Sequence, residues 1–163
     1  MSGADGSYYT VLGDAMAISK TAISQDTWEL VYDTINDNID DPKIRGIQWM
    51  FAAFPDTEKW PQGTDVFPIV IIDPTYIGEE RFVMGKTTKL FPLRNTIHIF
   101  STRMDASDQL GDLVFNCIRD NEGAFQSEGL RNLKVSETPD TVLYVGGERI
   151  HEKIIIIQTE AVL

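Results

Sequence analysis

Few residues of this chain could carry out acid–base or metal chemistry. His98 and His151 are the only histidines, and neither has a second histidine or a cysteine at the spacing of a metal site. The sequence contains no H-E-x-x-H or C-x-x-C motif, and no serine lies in a G-x-S-x-G turn. We therefore predict no catalytic residue, no metal and no cofactor.

The two histidines lie in alternating, strand-like stretches. His98 stands between Ile97 and Ile99 and is interpreted as a hydrogen-bonded strand histidine. His151 lies between Ile150 and Glu152, among alternating charged residues. The pattern around His151 predicts a side chain on a solvated strand face.

The glycine turns and acidic pairs do not have the pattern of a phosphate or metal site. Gly78 and the pair Gly146-Gly147 are each followed by glutamate, which repels phosphate, and neither turn precedes a predicted helix. The pairs Asp40-Asp41 and Glu79-Glu80 are predicted to be solvated.

The single cysteine, Cys117, cannot form an intrachain disulfide bond. It lies at helical spacing from Leu113, Val114 and Ile118, which predicts a buried, unreactive thiol.

The charge composition of the chain is not typical of a nucleic-acid-binding protein. The chain has 25 Asp and Glu residues against 14 Lys and Arg residues, a net charge of −11, and its cations are scattered. Phosphate backbones repel such a surface. Solubility is the simplest explanation of the acidity, and a surface that nucleic acid passes without binding or a salt-rich source are the alternatives. No apolar run approaches the roughly 20 residues of a membrane helix.

The elements that must position these side chains follow from hydrophobic periodicity. Residues 27–39 have apolar residues at spacings of three and four, and Asp26 and Glu29 form a capping-box pattern. A strand is predicted at 47–51, a loop at 55–65, and a strand buried on both sides at 66–72.

The second half of the chain has the same kinds of element. Residues 93–102 alternate as a strand, and 105–121 have a helical stripe that includes Leu113 and Ile118, with Asp105 or Ser107 as cap and Gly123 as stop. A short strand is predicted at 130–136. The turn at Gly146-Gly147 predicts a hairpin spanning 142–158.

Together these elements predict an α+β fold, a mainly antiparallel sheet with two helices packed on one face and a long hairpin arm. Residues 25–163, a length typical of one domain, are predicted to form it. Residues 1–24 are predicted to form an N-terminal arm that is ordered by a neighbouring subunit or not at all.

The hairpin arm at residues 76–92 mixes cations with aromatic residues. This composition predicts an interface with another subunit or with a partner. The alternative is an edge strand whose charges block aggregation. The predicted interface residues, including one aromatic from the 55–65 loop, are Trp60, Arg81, Phe82, Met84, Lys86, Lys89 and Phe91.

From residue 27 to about 160 the order of elements resembles that of the tail terminator, or tail completion, proteins of long-tailed phages and related viruses. The resemblance rests on short motifs in the same order. They are Phe67-Pro68 opening an apolar strand, Thr96 to Phe100, the helix segment Gln109 to Val114, the Gly129-Leu130-x-x-Leu133 passage, and the closing strand Ile150 to Ile157.

The resemblance implies a virion structural protein and not an enzyme. Proteins of the tail terminator family form a ring, typically a hexamer, at the head-proximal end of the tail tube. There they end tube polymerisation and join the tail to the neck. The implied partners are other copies of the chain, the tail tube protein and a neck connector protein. DNA is only passing cargo in the lumen, no membrane is involved, and the ring is assembled in the host cytoplasm.

Two other classes remain open at this point. The chain is alternatively another neck or head-completion adaptor or a minor tail protein. A small α+β enzyme or ligand-binding module is the third hypothesis, and native mass separates it from the ring-forming proteins because small enzymes are usually monomers or dimers.

Overall fold

A computed structural model describes residues 18, 21–82 and 88–162, and these residues form one mixed α+β structure. The helices are α1 (Ile23–Asn38), α2 (Met104–Asp120) and α3 (Glu122–Ser127), with a 3-10 turn at Thr57–Lys59. The strands are β1 (Met50–Phe51), β2 (Ile69–Ile72), β3 (Tyr76–Ile77), β4 (Arg81–Phe82), β5 (Lys89–Ser101), β6 (Leu130–Glu137), β7 (Thr141–Val145) and β8 (Glu148–Val162). The predicted fold class is confirmed.

Two long strands, β5 and β8, form the centre of the sheet. They pair antiparallel from Leu90 opposite Val162 to Ser101 opposite His151. Strands β2, β3 and β4 follow one another along the outer side of β5, and β6 and β7 do the same along β8. Among the described strands, only the short β1–β2 pair is parallel. The described sheet is therefore two long hairpins lying side by side.

The core lies between the helices and one face of this sheet. Alternate residues of β5, such as Ile97 and Ile99, are fully buried there, as are Ile155 and Ile157 of β8. Helix α2 packs on β5, β6 and β8, and α1 packs against α2. Helices α1 and α2 lie on this side of the sheet. The opposite face, which we call the open face, is covered at one end by the loop after β1, where Phe54 lies against Phe100 of β5 with ring centroids 6.0 Å apart.

Helix α1 begins earlier than predicted. Its N-cap is Ala22, so the predicted capping box is wrong and Asp26 lies inside the first turn. The extra turn buries Ile23 in the core, and such burial outweighs a local capping preference. Ile18 is also buried, and its N–H donates to the carbonyl of Glu128 at 3.3 Å. The remainder of the predicted arm, apart from 21–24, lies outside the described residues.

Helix α2 differs from prediction at both ends and on one flank. Arg103 is its N-cap in place of Asp105 or Ser107, and Gly123 does not stop the helical path but lies within α3. Leu113, predicted to be core, is 55% exposed, so that prediction is wrong. It lies about 100° around the helix from the buried Val114, beyond the surface that the sheet covers.

The strand predictions are confirmed in type and corrected in extent. The 66–72 strand is limited to Ile69–Ile72, whose four side chains are all buried, and the 47–51 strand to Met50–Phe51. The predicted turn at Gly146 and Gly147 is confirmed, with φ values of 58° and 80°.

Candidate subunit interface

The hairpin arm is anchored by strand pairing and ion pairs. Arg81 lies opposite Leu90 and Phe82 opposite Lys89. The Phe82 ring is 67% exposed, and the Lys89 Nζ lies 5.6 Å from its centroid. Lys89 Nζ is also 3.4 Å from a carboxylate oxygen of Glu80. An aromatic ring and a cation are thus presented together near the tip of the hairpin.

The other predicted interface residues are not all brought to this place. Phe91 lies at the base of the arm, partly buried against the core. Trp60 lies after the 3-10 turn and stacks on Phe51 of β1, with ring centroids 6.0 Å apart. Met84 and Lys86 lie outside the described residues. The structure therefore groups Arg81, Phe82 and Lys89, and places Trp60 in a separate loop.

A second exposed hairpin, which the site prediction missed, lies at the opposite end of β5 and β8. Strand β7 pairs with Glu148 to Glu152 of β8, and the turn joining them lies beyond the last β5–β8 pair, Ser101 opposite His151. Four consecutive apolar residues of β7 are exposed, and Tyr144 is the most exposed at 75%. An exposed apolar run at a sheet edge is typical of a protein–protein contact. The sequence signal that could have found it is Val142 to Val145 beside a glycine turn.

A groove of about 540 Å³ lies on the open face of the sheet. Strand register places Tyr76, Arg94, Gln158 and Lys134 in one row across β3, β5, β8 and β6. Arg94 lies over the ring of Tyr76, with its guanidinium carbon 4.8 Å from the centroid. Arg94 and Lys134 are exposed, and neither forms an ion pair with a described carboxylate. The groove therefore presents uncompensated positive charge on an acidic protein.

Glu160 is the one carboxylate residue among the described residues that line this groove, and its side chain is already engaged. Glu160 accepts a hydrogen bond from Arg81 Nη2 at 2.9 Å, and the side-chain amide of Asn132 also donates to it. These contacts tie the arm to β8 and leave Arg94 and Lys134 without a negative neighbour among the described ion pairs.

The outer face of α1 has the opposite charge. Glu29, Asp33 and Asp37 recur at intervals of four residues, on the side of the helix away from the buried Val31 and Ile35. Helix α1 contains no lysine or arginine. Burial, together with the neighbouring charges of Asp37 and Glu29, raises the pKa of the Asp33 carboxyl. These carboxylates repel one another, and no cation is among the causes of the shift in the Asp33 pKa.

His98 lies on the open face between two carboxylates, as predicted for a hydrogen-bonded strand histidine. Its Nε2 is 2.8 Å from Asp73 Oδ2 and its Nδ1 is 2.7 Å from Glu152 Oε2. Burial alone would lower the pKa of His98, but the hydrogen bonds to Asp73 and Glu152 outweigh it and raise the pKa above its ordinary value. Both ring nitrogens thus face carboxylate oxygens, an arrangement that favours the protonated form of the ring.

His151 is buried, so the predicted solvated face is wrong there. Its Nδ1 lies 2.7 Å from Asp140 Oδ2, and the other oxygen of Asp140 accepts a hydrogen bond from Ser107 at 2.6 Å. The serine hydroxyl thus contacts the aspartate and not the imidazole. The three residues tie β8, the β6–β7 link and α2 together, and they do not form a nucleophile–base pair.

No group of three His, Cys, Asp or Glu side chains in the described part of the chain could hold a metal ion. Cys117 is buried, as predicted, and burial followed by the charge of Asp120 raises the pKa of its thiol. Among residues 18, 21–82 and 88–162, no helix is both long and apolar enough to cross a bilayer.

Comparison of the chain with protein-family models and with curated proteins produced no match in either case.

Proposed function

We propose that this protein is a virion structural protein that forms a hexameric ring at the head-proximal end of a viral tail tube. In this role it ends tube polymerisation and joins the tail to a neck connector protein. DNA passes through the lumen as cargo, and the acidic net charge of −11 limits its retention. The resemblance in element order and the two exposed hairpins support this role.

The observation that carries the proposal is the pair of exposed hairpins at opposite ends of one β5–β8 ladder. Leu90 and Ser101, the first and last β5 residues of that ladder, are on the order of 35 Å apart along the strand. Phe82 is exposed near one end and Tyr144 near the other. A ring that lies between a tube and a connector needs two different contact surfaces pointing in opposite directions, and the two hairpins supply them.

Native mass spectrometry and tube capping test this proposal together. We expect a particle of about six times the 18.3 kDa protomer mass. We also expect this particle to shorten tubes grown from the tail tube protein of the same virus, as measured by electron microscopy. A monomer or dimer at micromolar concentration that leaves tube length unchanged contradicts the proposal.

Variants of the hairpins identify the capping surface. Deletion of residues 79–89, or the milder Phe82→Ser, is expected to leave a folded protein that no longer caps tubes. Tyr144→Ser is expected to abolish binding of the connector and to leave capping intact. Met104→Ser is the matched control, because Met104 is an exposed apolar residue on α2 at 55% exposure. If both hairpin variants behave like this control, the hairpins are not the contact surfaces.

A further inference from the structure

We propose that copies of this chain associate head to tail, with the acidic face of α1 of one copy seated in the open-face groove of the next. The occupant of the groove is thus a second copy of the chain. The inference deepens the proposed function and rests on it only for the number of copies in the ring.

The groove has the chemistry of a carboxylate-binding surface. Arg94 supplies a planar guanidinium whose orientation is set by stacking on Tyr76, and Lys134 supplies an ammonium two strands away. Gln158 lies between them and can donate a further hydrogen bond. Neither cation is neutralised by a described carboxylate, so both are available to an acidic partner.

The α1 face has the matching chemistry. Glu29, Asp33 and Asp37 have no lysine or arginine on their own helix, and the raised pKa of the Asp33 carboxyl reflects burial and its acidic neighbours. A cationic surface brought against this stripe relieves repulsion that the isolated copy retains. Such complementarity sets the orientation and the rate of association more than it adds raw affinity.

The dimensions of the two surfaces agree. Arg94 and Lys134 lie two strand spacings apart, roughly 10 Å. Glu29 and Asp37 are eight residues apart on one helix, roughly 12 Å. Two cations at this separation can each meet a different carboxylate of the stripe.

The positions of the two surfaces determine the symmetry of the contact. The stripe lies on the helix layer, and the groove lies on the open face on the other side of the sheet. A contact between two different surfaces of identical copies is heterologous, and it produces a ring if the rotation closes. The β7 hairpin lies at the opposite end of β5 and β8 from the groove, so this contact leaves it uncovered.

Complementary charge reversal tests the inference. The groove variant is Arg94→Glu with Lys134→Glu, and the helix variant is Asp33→Lys with Asp37→Lys. Each alone brings like charges together, so we expect the oligomer to be lost, or its dissociation constant to rise by roughly tenfold or more. An equimolar mixture of the two variants is expected to recover the oligomer, because each groove then meets a helix of opposite charge. Sedimentation velocity at 50 and 500 mM salt provides the readout.

A control variant and a milder groove variant accompany this test. Lys43→Glu with Lys59→Glu makes the same change of charge on exposed loop residues and should leave the oligomer unchanged. Arg94→Gln with Lys134→Gln replaces the groove variant if charge reversal prevents folding, as judged by circular dichroism, and is expected to weaken association without recovery on mixing.

Three outcomes overturn the inference. In the first, both variants retain the wild-type oligomer; a ring mass near six protomers would then leave the proposed function standing and exclude only this contact. In the second, a single-stranded oligonucleotide binds the wild type and not the groove variant while self-association is unaltered, which identifies nucleic acid as the occupant. In the third, the wild type is monomeric at both salt concentrations. Charge-dependent assembly into an open filament would instead support the contact and contradict the proposed ring, whereas a closed dimer would contradict the head-to-tail contact itself.

Discussion

Gly111 of α2 lies directly against the side chain of Lys153 on β8. A Cβ atom at position 111 would lie 3.0 Å from the lysine Cδ and 3.3 Å from its Cγ and Cε. The lysine cannot easily move away, because its Nζ lies 3.0 Å from Asp108 Oδ1 and 3.7 Å from Glu137 Oε1. Burial alone would lower the pKa of Lys153, but the hydrogen bond to Asp108 and the nearby carboxylates raise it. The glycine therefore makes room for a buried, charged cross-link between α2 and the sheet.

We expect Gly111→Ala to reduce the free energy of unfolding by about 1 kcal/mol, because overpacking costs more than the helix propensity that alanine adds. Gly123→Ala is the matched control. It lies in α3 with nothing within 4 Å of an added Cβ, so we expect no loss and a gain of up to about 1 kcal/mol. Urea denaturation measures both, and equal stabilisation by the two substitutions would contradict the crowding at Gly111.

Ile118 and Leu113 lie five residues apart on α2 and have opposite environments. Ile118 is fully buried, and Ile118→Ala should cost about 2–5 kcal/mol, as large-to-small core substitutions do. Leu113 is 55% exposed, and Leu113→Ala should cost less than about 0.5 kcal/mol in the same denaturation series. If Leu113→Ala lowers the free energy of unfolding of the isolated protein as much as Ile118→Ala does, another part of the chain must cover Leu113.

Ile44 has a left-handed backbone conformation, with φ of 51°, and its side chain is 87% exposed. For a β-branched residue this conformation costs roughly 1–2 kcal/mol, whereas asparagine tolerates it. We expect Ile44→Asn to raise the free energy of unfolding by about 1 kcal/mol. Ile44→Val keeps the β-branch and should change nothing. A destabilising Ile44→Asn would mean that the side chain makes contacts that outweigh the strain.

His98 should make the stability of the protein depend on pH. Its pKa is raised by Asp73 and Glu152 relative to the unfolded value of about 6.5. A group with a raised pKa in the folded state binds its proton more tightly there. Its contribution is fully present below about pH 6.5 and is lost as the pH rises through the folded-state pKa. The free energy of unfolding should therefore fall over that range.

The measurement is urea denaturation from pH 5.5 to 9 of the wild type and of His98→Gln. The free energy of unfolding of His98→Gln should not show the fall with rising pH that is expected of the wild type. Asp73→Asn should shift this fall to lower pH, because His98 loses one of its two carboxylate partners. Parallel curves for the wild type and His98→Gln would show that the imidazole does not contribute.

The sequence pattern over a few neighbouring residues determined the closing hairpin and the buried faces of β5 and α2. Gly146 and Gly147 adopt positive φ as a two-residue turn requires, so the closing hairpin was readable from the sequence. The alternation of Ile97 and Ile99 and the stripe containing Val114 and Ile118 likewise define which faces are buried. Period and turn chemistry act over a few residues, and the α+β class follows from them.

Tertiary structure decided the rest. His151 is buried because the pairing of β7 with β8 brings Asp140 to it, and Leu113 is exposed because the sheet covers only part of the α2 stripe. Arg94 and Lys134 are 40 positions apart in sequence, and only the register of β5, β8 and β6 places them in one row. A shift of one residue in that register would send each side chain to the other face, so the groove depends on long-range pairing that local periodicity does not specify.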